Sequence, residues 1–448
     1  MKIQKAIQLS LLFLVISIFS LAQGPAITSW LQNTTTTGTY YQSGNSTAIA
    51  NNILVNCQAV QYNSNFVFVS TKGIPSYPTG PFLDGNPSQA SDQSAIFKFP
   101  LNPVPNTGTP TATTGGNIGV FINGVALFDY RDGVAWNNTT NALCGGPGNP
   151  PCPGGPSATQ DWNRDAVPAE MGGFDCSKGH PAMGNYHHHQ NPSAFKLDKV
   201  VLSTICNLYD ADGLYAIDSN AHSPLIGFAY DGYPIYGAYA FKDTNGTGTI
   251  TRMKSGYSLR SITTRVNGPA VNSTYFLGYF REDYEHIVST QTDVLDDHNG
   301  RWCKTPEYPN GTYAYFCTVD KDWNSAYPYA VGPTFYGTYA RRTVTTIPSG
   351  TTTYTSSVGL SETEFNNLKI NVFPNPASDI IAIQINGLNK ENLQLKLYSM
   401  QGKLIQQNKI NPGATIGYFD VQTLYNGVYL VEISNGSFKQ TKKVVVKR

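Results

Sequence analysis

The chain reads as mainly β with short helices: a larger disulfide-containing β domain followed by a small immunoglobulin-like antiparallel β-sandwich. Three observations carry that reading. Charged residues are 13% of 448, against ~25% in ordinary soluble proteins, while aromatics reach 12% with 28 tyrosines. Gly (42) and Pro (28) punctuate the chain, and no long stretch repeats with the 3.6-residue period of an amphipathic helix. Short β-type runs bounded by turn signals recur almost throughout. Coiled coils, long helical arrays and charged disordered chains are thereby excluded.

The first 22 residues form a separate element. Lys2 and Lys5 precede an apolar run from Leu9 to Leu21, and Ser20-Leu21-Ala22 places small residues before Gln23. This is the pattern of a cleaved secretory leader over 1–22; the run is short of the ~20 residues that span a bilayer. No later segment is apolar enough to cross one, so no transmembrane segment is expected in the mature protein.

Export places the seven cysteines in a disulfide-permissive compartment. Cys303 and Cys317 flank a turn-rich segment and could staple a hairpin. Cys144 and Cys152 bracket a small Gly/Pro loop, and Cys176 and Cys206 flank a histidine cluster, leaving Cys57 unpaired. Spacing alone does not fix the connectivity.

From Gln23 to about Arg342, runs such as Gly119-Val-Phe-Ile-Asn-Gly124, Val200-Val-Leu-Ser-Thr-Ile205 and Ser273-Thr-Tyr-Phe-Leu-Gly-Tyr-Phe280 define the β domain, 23–342. Residues 343–365 have the Thr/Ser-rich composition of a linker. Beyond it, in 366–448, alternating runs at Ile380–Ile385, Leu393–Tyr398, Gly427–Ile433 and Lys442–Val446, separated by Gly and Asn-Gly turns, specify the small sandwich.

The net charge of +1 hides a split. Residues 366–448 carry 10 Lys+Arg and 4 Asp+Glu, whereas 23–365 carry 18 basic and 25 acidic residues. An acidic body repels phosphate, so no nucleic-acid partner is expected.

The stretches NVFPNPASD, LYSMQGKLI and LYNGVYLVEI, with a Lys-rich finish, resemble the C-terminal sorting domain of the type IX secretion system over about residues 370–448. The resemblance implies recognition by that secretion machinery, passage through the periplasm of a Gram-negative cell, and a secreted or outer-surface destination.

The most unusual local feature is Gly184-Asn-Tyr186-His187-His188-His189-Gln190. On a strand, His187 and His189 share one face and His188 points to the other. Imidazoles at i and i+2 can reach one transition-metal ion such as Zn or Cu. A third ligand would come from elsewhere: His180 lies within loop reach, and His298, His222 and His286 are distant candidates. The bland alternative is a set of hydrogen-bonded core histidines beside tyrosines.

These residues carry a second resemblance. YHHHQNP, CSKGHPAMGNY, SPLIGFAYDGYPIYG, DDHNGRWCKTPEYPNGTYAYF and YPYAVGPTFYG, in that order, resemble the YHYH protein family over about residues 115–340. Tyr186, His187 and His189 match the motif, whereas His188 stands where Tyr is expected. The resemblance implies a secreted protein and no particular activity.

Other constellations support two readings each. Asp231, in a Tyr-Asp-Gly-Tyr-Pro turn, is either a hairpin residue or a carboxylate orienting the histidines. Asp296-Asp297-His298 is either a capped turn or a carboxylate–imidazole pair converging with His187 and His189. Asp243 to Lys254 mimics the start of a calcium loop but lacks the twelfth-position Glu, and reads as a hairpin turn. Asp210-Ala-Asp212-Gly213 reads as another turn. No nucleophile elbow, P-loop, dinucleotide fingerprint or HExxH is present. Two functions remain: an exported metal-binding protein using the Tyr-His-His-His cluster, or a non-catalytic surface module taking a glycan, matrix or small-molecule ligand through tyrosines and Trp302 and Trp323.

Overall fold

The computed structural model describes residues 23–83, 89–154, 160–193, 214–215, 217–339, 343–355, 369–386, 392–399, 403–411, 414, 416–435 and 439–447. The expected leader over 1–22, the β-type run at 200–205, Cys206, the turn at 210–213 and the later part of the expected linker lie outside the described residues. The protein is mostly β, with few and short helices. It divides into two compact units, Met1–Thr355 and Ser356–Arg448.

The first unit opens on the single-turn helix α1 (Pro25–Thr28); after a two-stranded ribbon, Thr37–Gln42 with Asn45–Leu54, come strands β1 (Cys57–Tyr62), β2 (Phe66–Thr71) and β3 (Ala95–Pro100). There follow β4 (Asn117–Phe121), β5 (Ala126–Phe128), β6 (Arg131–Asn137), β7 (Ala142–Cys144), β8 (Asn163–Asp165) and the short helix α2 (Ala166–Glu170). The two main sheets also take in β9 (Gly179–Ala182), β10 (Asn185–His188), β11 (Leu225–Ala229), β12 (Pro234–Tyr236), β13 (Gly300–Cys303), β14 (Thr312–Phe316), β15 (Thr343–Val344) and β16 (Thr352–Tyr354).

Two sheets organise this unit. One has the order β15-β3-β2-β1-β16, and the other β9-β10-β5-β4-β11-β12-β14-β13. Strands β11, β12 and β14 are buried at every position, as expected for central strands covered on both faces. Val60, Val67, Val69, Phe97 and Phe99 belong to the same core cluster as Phe121, Phe228 and Tyr315. Trp30, just after α1, packs on Phe99 and Phe228 at ring separations of 5.5 and 5.3 Å. Each such fully buried aromatic contributes about 1.5–3 kcal/mol of apolar burial.

The structure takes residues 343–355 into the first unit. Strand β15 pairs with β3 and β16 with β1, so this segment closes both edges of the five-stranded sheet. Its Thr-rich composition fits a linker and a strand equally, because threonine's β-branching favours extended backbone.

The cysteines divide unexpectedly. Cys144 and Cys152 form a disulfide, and Cys176 is also disulfide-bonded. Cys303 and Cys317 are free and buried, like Cys57. Their expected pairing fails on register: Cys303 lies opposite Thr312 in the β13–β14 ladder, whereas Cys317 follows the far end of β14. Five residues of strand separate their levels, ~16 Å at ~3.3 Å each, well past the ~7 Å Cα limit for a bridge.

In the second unit, β17 (Lys369–Phe373), β18 (Ile380–Asn386) and β21 (Ile416–Asp420) form one antiparallel sheet. The other contains β19 (Leu393–Ser399), β20 (Leu404–Ile410), β22 (Gly427–Ser434) and β23 (Lys439–Val446), in the order β20-β19-β22-β23. Ile381, Ile383, Leu395, Leu397, Val431 and Ile433 form its core at 0% exposure, so period-2 patterning alone builds this β-sandwich.

Candidate metal centre

Strands β9 and β10 form a hairpin at one edge of the eight-stranded sheet. The Met183-Gly184 turn closes it, with positive φ at both residues (49° and 85°), the two-residue geometry matched to strand twist. Pro181 is tolerated because β9 is the edge strand and need not donate outward. The register sets His180 directly opposite His187, which places both rings on one face. His189, two residues after His187, joins them. All three are buried, and their ligand-capable nitrogens lie within 4.8 Å of one another.

The remaining motif positions serve the other face. His188 is fully buried; its Nδ1 donates to the Lys178 carbonyl at 3.0 Å, and its Nε2 accepts from the Tyr77 hydroxyl at 2.7 Å. Burial holds its pKa at about 3, so it is neutral. The Tyr186 hydroxyl donates to Asp175 at 2.8 Å. Gly179 is required there, since a Cβ would collide with the Tyr186 ring and hydroxyl.

Backbone carbonyls fix the site tautomers. A carbonyl can only accept, so the 2.9 Å contact of His187 Nδ1 with the Asn185 oxygen places the proton on Nδ1. The 2.7 Å contact of His189 Nδ1 with the Asp129 oxygen does the same. In the neutral rings both Nε2 atoms are therefore lone-pair donors, and they face each other at 3.1 Å. Two lone pairs at that distance repel unless a proton or a metal cation lies between them. Phe128 stacks on His187 at 3.8 Å, and Phe174 stands edge-on to His180 at 5.0 Å.

A carboxylate borders the group. Glu170, the last residue of α2, brings Oε2 to 3.3 Å from His180 Nε2 and 3.1 Å from His189 Nε2. Helix α2 is set by Asp165, whose carboxylate caps Val167 N at 3.0 Å, and by Ala166 N, which donates to the Tyr130 carbonyl at 2.7 Å. Glu170 Oε2 and both ring nitrogens of His180 are buried without a well-formed hydrogen bond. Burial, then the positive potential of His189 and His180, holds His187 well below the usual histidine range. Burial also disfavours the His189 cation, but the Glu170 carboxylate outweighs it and raises His189 overall. Reciprocally, burial opposes charge on Glu170, while His180 and His189 draw it well below the usual carboxylate range. No motif flags Glu170; its only sequence signal is a carboxylate within 20 residues of the histidines.

The other expected partners lie elsewhere. His298 precedes β13, at the opposite edge of the sheet from the hairpin; its Nδ1 meets Thr334 Oγ1 at 2.6 Å and its Nε2 lies 3.7 Å from Asp297. It does not converge with His187 and His189. The Asp297 side chain is 57% exposed. Asp231 accepts from the Tyr315 hydroxyl at 2.6 Å and from Gly337 N at 2.8 Å, fastening strands rather than orienting imidazoles. His222 bonds the Ser223 carbonyl at 2.7 Å, and His286 packs on Tyr257. Asp243 closes a hairpin turn with Gly246 and Thr247. Trp302 is exposed, whereas Trp323 is partly buried and donates to Tyr239 at 3.0 Å. Among the described residues, no other group of three His, Cys, Asp or Glu donors converges in this way.

Comparison with known proteins gives two family matches. The model described as YHYH protein matches residues 96–328, and that of the secretion system C-terminal sorting domain matches residues 371–447. No curated protein matches the chain. Among solved structures, a DUF3244 family protein from Bacteroides vulgatus with an immunoglobulin-like β-sandwich fold is similar at 15% identity. That likeness covers 18% of this chain and 88% of the other, with a TM-score of 0.16.

Proposed function

This chain belongs to the YHYH protein family and is a secreted protein with a type IX sorting tail, and from that premise we propose that its working unit binds one transition-metal ion through His180, His187 and His189. The observation that carries the reading is the pair of facing Nε2 lone pairs, each fixed by an Nδ1–H bond to a backbone carbonyl. Metal-ligating histidines characteristically anchor their second nitrogen in this way, which orients the ring and raises its basicity. The donors suit zinc or copper, both of which take imidazole readily. The His180 nitrogens, buried without a well-formed hydrogen bond, fit the same role, since an unsatisfied buried polar group costs about 1–3 kcal/mol.

A bound ion would supply either a cross-link or Lewis acidity. The chain itself supplies three imidazoles, an aromatic wall from Phe128 and Phe174, and Nδ1–H tautomers fixed by backbone carbonyls at His187 and His189. The same sequence supports a second reading, a glycan-binding surface module, for which Trp302, 57% exposed on β13, is the available platform.

Elemental analysis of protein purified from its native compartment tests the proposal. One equivalent of zinc or copper is expected, lost in a His187→Ala/His189→Ala double variant. A metal-free native protein, or metal retained by the double variant, refutes it. Glycan retention on an array by a metal-free protein, abolished by Trp302→Ala, would establish the second reading.

A further inference from the structure

Resting on that reading, we infer that Glu170 is the fourth ligand of the ion, making a closed, four-coordinate centre that fastens helix α2 to the β9–β10 hairpin. The separations of Glu170 Oε2 from His189 and His180 Nε2, 3.1 and 3.3 Å, resemble that between the His187 and His189 nitrogens, 3.1 Å. Four donors held tetrahedrally at ~2.0–2.1 Å from an ion lie ~3.3 Å apart. Three of the six edges of such a tetrahedron thus already have the length of a coordination shell.

Glu170 also has no competing occupation. Its Oε2 is buried and without a well-formed hydrogen bond, at the end of a helix that exposes only a quarter of this side chain. A carboxylate oxygen turned away from water toward two imidazoles needs a positive partner, which a metal ion held by those same imidazoles supplies. Charge points the same way. Three neutral imidazoles would leave a divalent ion with its full +2 in a buried site, and the carboxylate halves it, reducing the cost of desolvation.

The arrangement leaves little room for water. His180, His187 and His189 are 6%, 2% and 3% exposed, and Phe128 and Phe174 wall the cluster. Catalytic zinc sites keep one position open, whereas structural ones fill all four with protein. Glu170 occupies the position that water or substrate would need. Three ligands come from one hairpin and the fourth from a helix separated from it in sequence, so the ion acts as a staple between them.

Cobalt(II) substitution of the full chain tests this directly, with azide as the probe for an open position. Wild-type protein is expected to give the intense visible bands of four-coordinate cobalt, unchanged by azide. Glu170→Ala is expected to bind zinc ~100-fold more weakly, the upper range seen even for outer-shell changes, and to give azide-sensitive cobalt bands. Glu170→Gln, which keeps the volume, reports the same loss should the alanine variant fail to fold. Hydrogen exchange across residues 166–173 is expected to accelerate on chelation in wild type and to be fast with or without metal in Glu170→Ala. Azide-sensitive wild-type cobalt bands, or wild-type affinity in both Glu170 variants, overturn the inference while leaving the three-histidine site intact. Failure of the wild type to take up cobalt or zinc overturns the underlying site as well.

Discussion

His188 offers a sharp test because it stands between two proposed ligands yet points away from them. Replacing it with alanine removes a fully buried ring that contacts Phe121 and Tyr186 edge-on at 5.5 and 5.3 Å. Deleting a buried aromatic costs about 3–5 kcal/mol. The substitution also orphans the Tyr77 hydroxyl and the Lys178 carbonyl, each worth about 1–3 kcal/mol when unsatisfied. A cavity lined by those two groups is polar enough to hold a water, which offsets part of the second cost. The expected loss is about 4–5 kcal/mol, or ~10 °C in Tm at ~2–3 °C per kcal/mol for a unit of this size. Thermal unfolding of chelator-treated protein measures it, free of any stabilisation by bound metal. Zinc affinity of the folded variant is expected to stay within about threefold of wild type, because nothing on the site face has changed. His187→Ala should behave oppositely in its effect on the metal: zinc binding is lost from the folded variant, whatever Tm the metal-free protein loses with its buried, Phe128-stacked ring. An unchanged Tm in His188→Ala, or loss of metal from a folded His188→Ala, would refute the division of the motif between two faces.

Four further outcomes are expected. Cys144→Ser/Cys152→Ser opens a loop of sequence separation 8 and should cost ~2.5 kcal/mol on the chain-entropy relation, read from urea midpoints. Cys57, Cys303 and Cys317 are buried, and burial pushes the Cys317 thiol up to about 12, so a thiol reagent at pH 8 should label none of them in native protein and all of them in urea. Arg265 spends all five N–H donors on Asp283 and the carbonyls of Pro269, Tyr275 and Phe276, so Arg265→Ala should cost about 3–5 kcal/mol by denaturant titration. Burial pushes the Asp175 carboxyl up to about 7 against the donors that lower it; a folded pKa above the unfolded value of ~3.9 means the contribution to stability is full below that value and lost as pH rises through 7. Unfolding free energy should thus fall between pH 5 and 7 by up to ~1.4 kcal/mol per pH unit from this group, and Asp175→Asn should flatten that slope whatever its effect on absolute stability.

Local periodicity was legible, and distance across the fold was not. In β18 the alternation puts Ile381, Ile383 and Ile385 in the core and leaves Ile380 nearly half exposed, a pattern readable from the residues alone. The same period places His187 and His189 together, and a two-residue turn supplies His180. The Cys303–Cys317 pairing failed because a short separation in sequence says nothing of register: a hairpin places residues opposite one another only when they are equidistant from its turn. The proximity of His298 to the cluster failed on sheet order, since β10 and β13 lie near opposite edges. Glu170 was missed because a five-residue helix carries no ligand motif. Its position is set by the Asp165 cap and by a bond to the Tyr130 carbonyl, neither of which has a spacing rule.

The departure at position 188 then acquires a physical meaning. A run of four extended residues, three on β10 and His189 just past its end, does not send all its side chains to one site, so alternate letters of the motif do different work. Tyr186 and His188 bond Asp175, Tyr77 and the Lys178 carbonyl, a buried hydrogen-bonded layer. His187 and His189 face Glu170 and His180. A tyrosine at 188 would present one hydroxyl where His188 presents two ring nitrogens, so exchange at this position is an exchange of core hydrogen bonds, answerable by changes at Tyr77 or around Lys178. Exchange at 187 or 189 has no such remedy, because their tautomers are fixed by carbonyls of Asn185 and Asp129 that no side-chain substitution can replace.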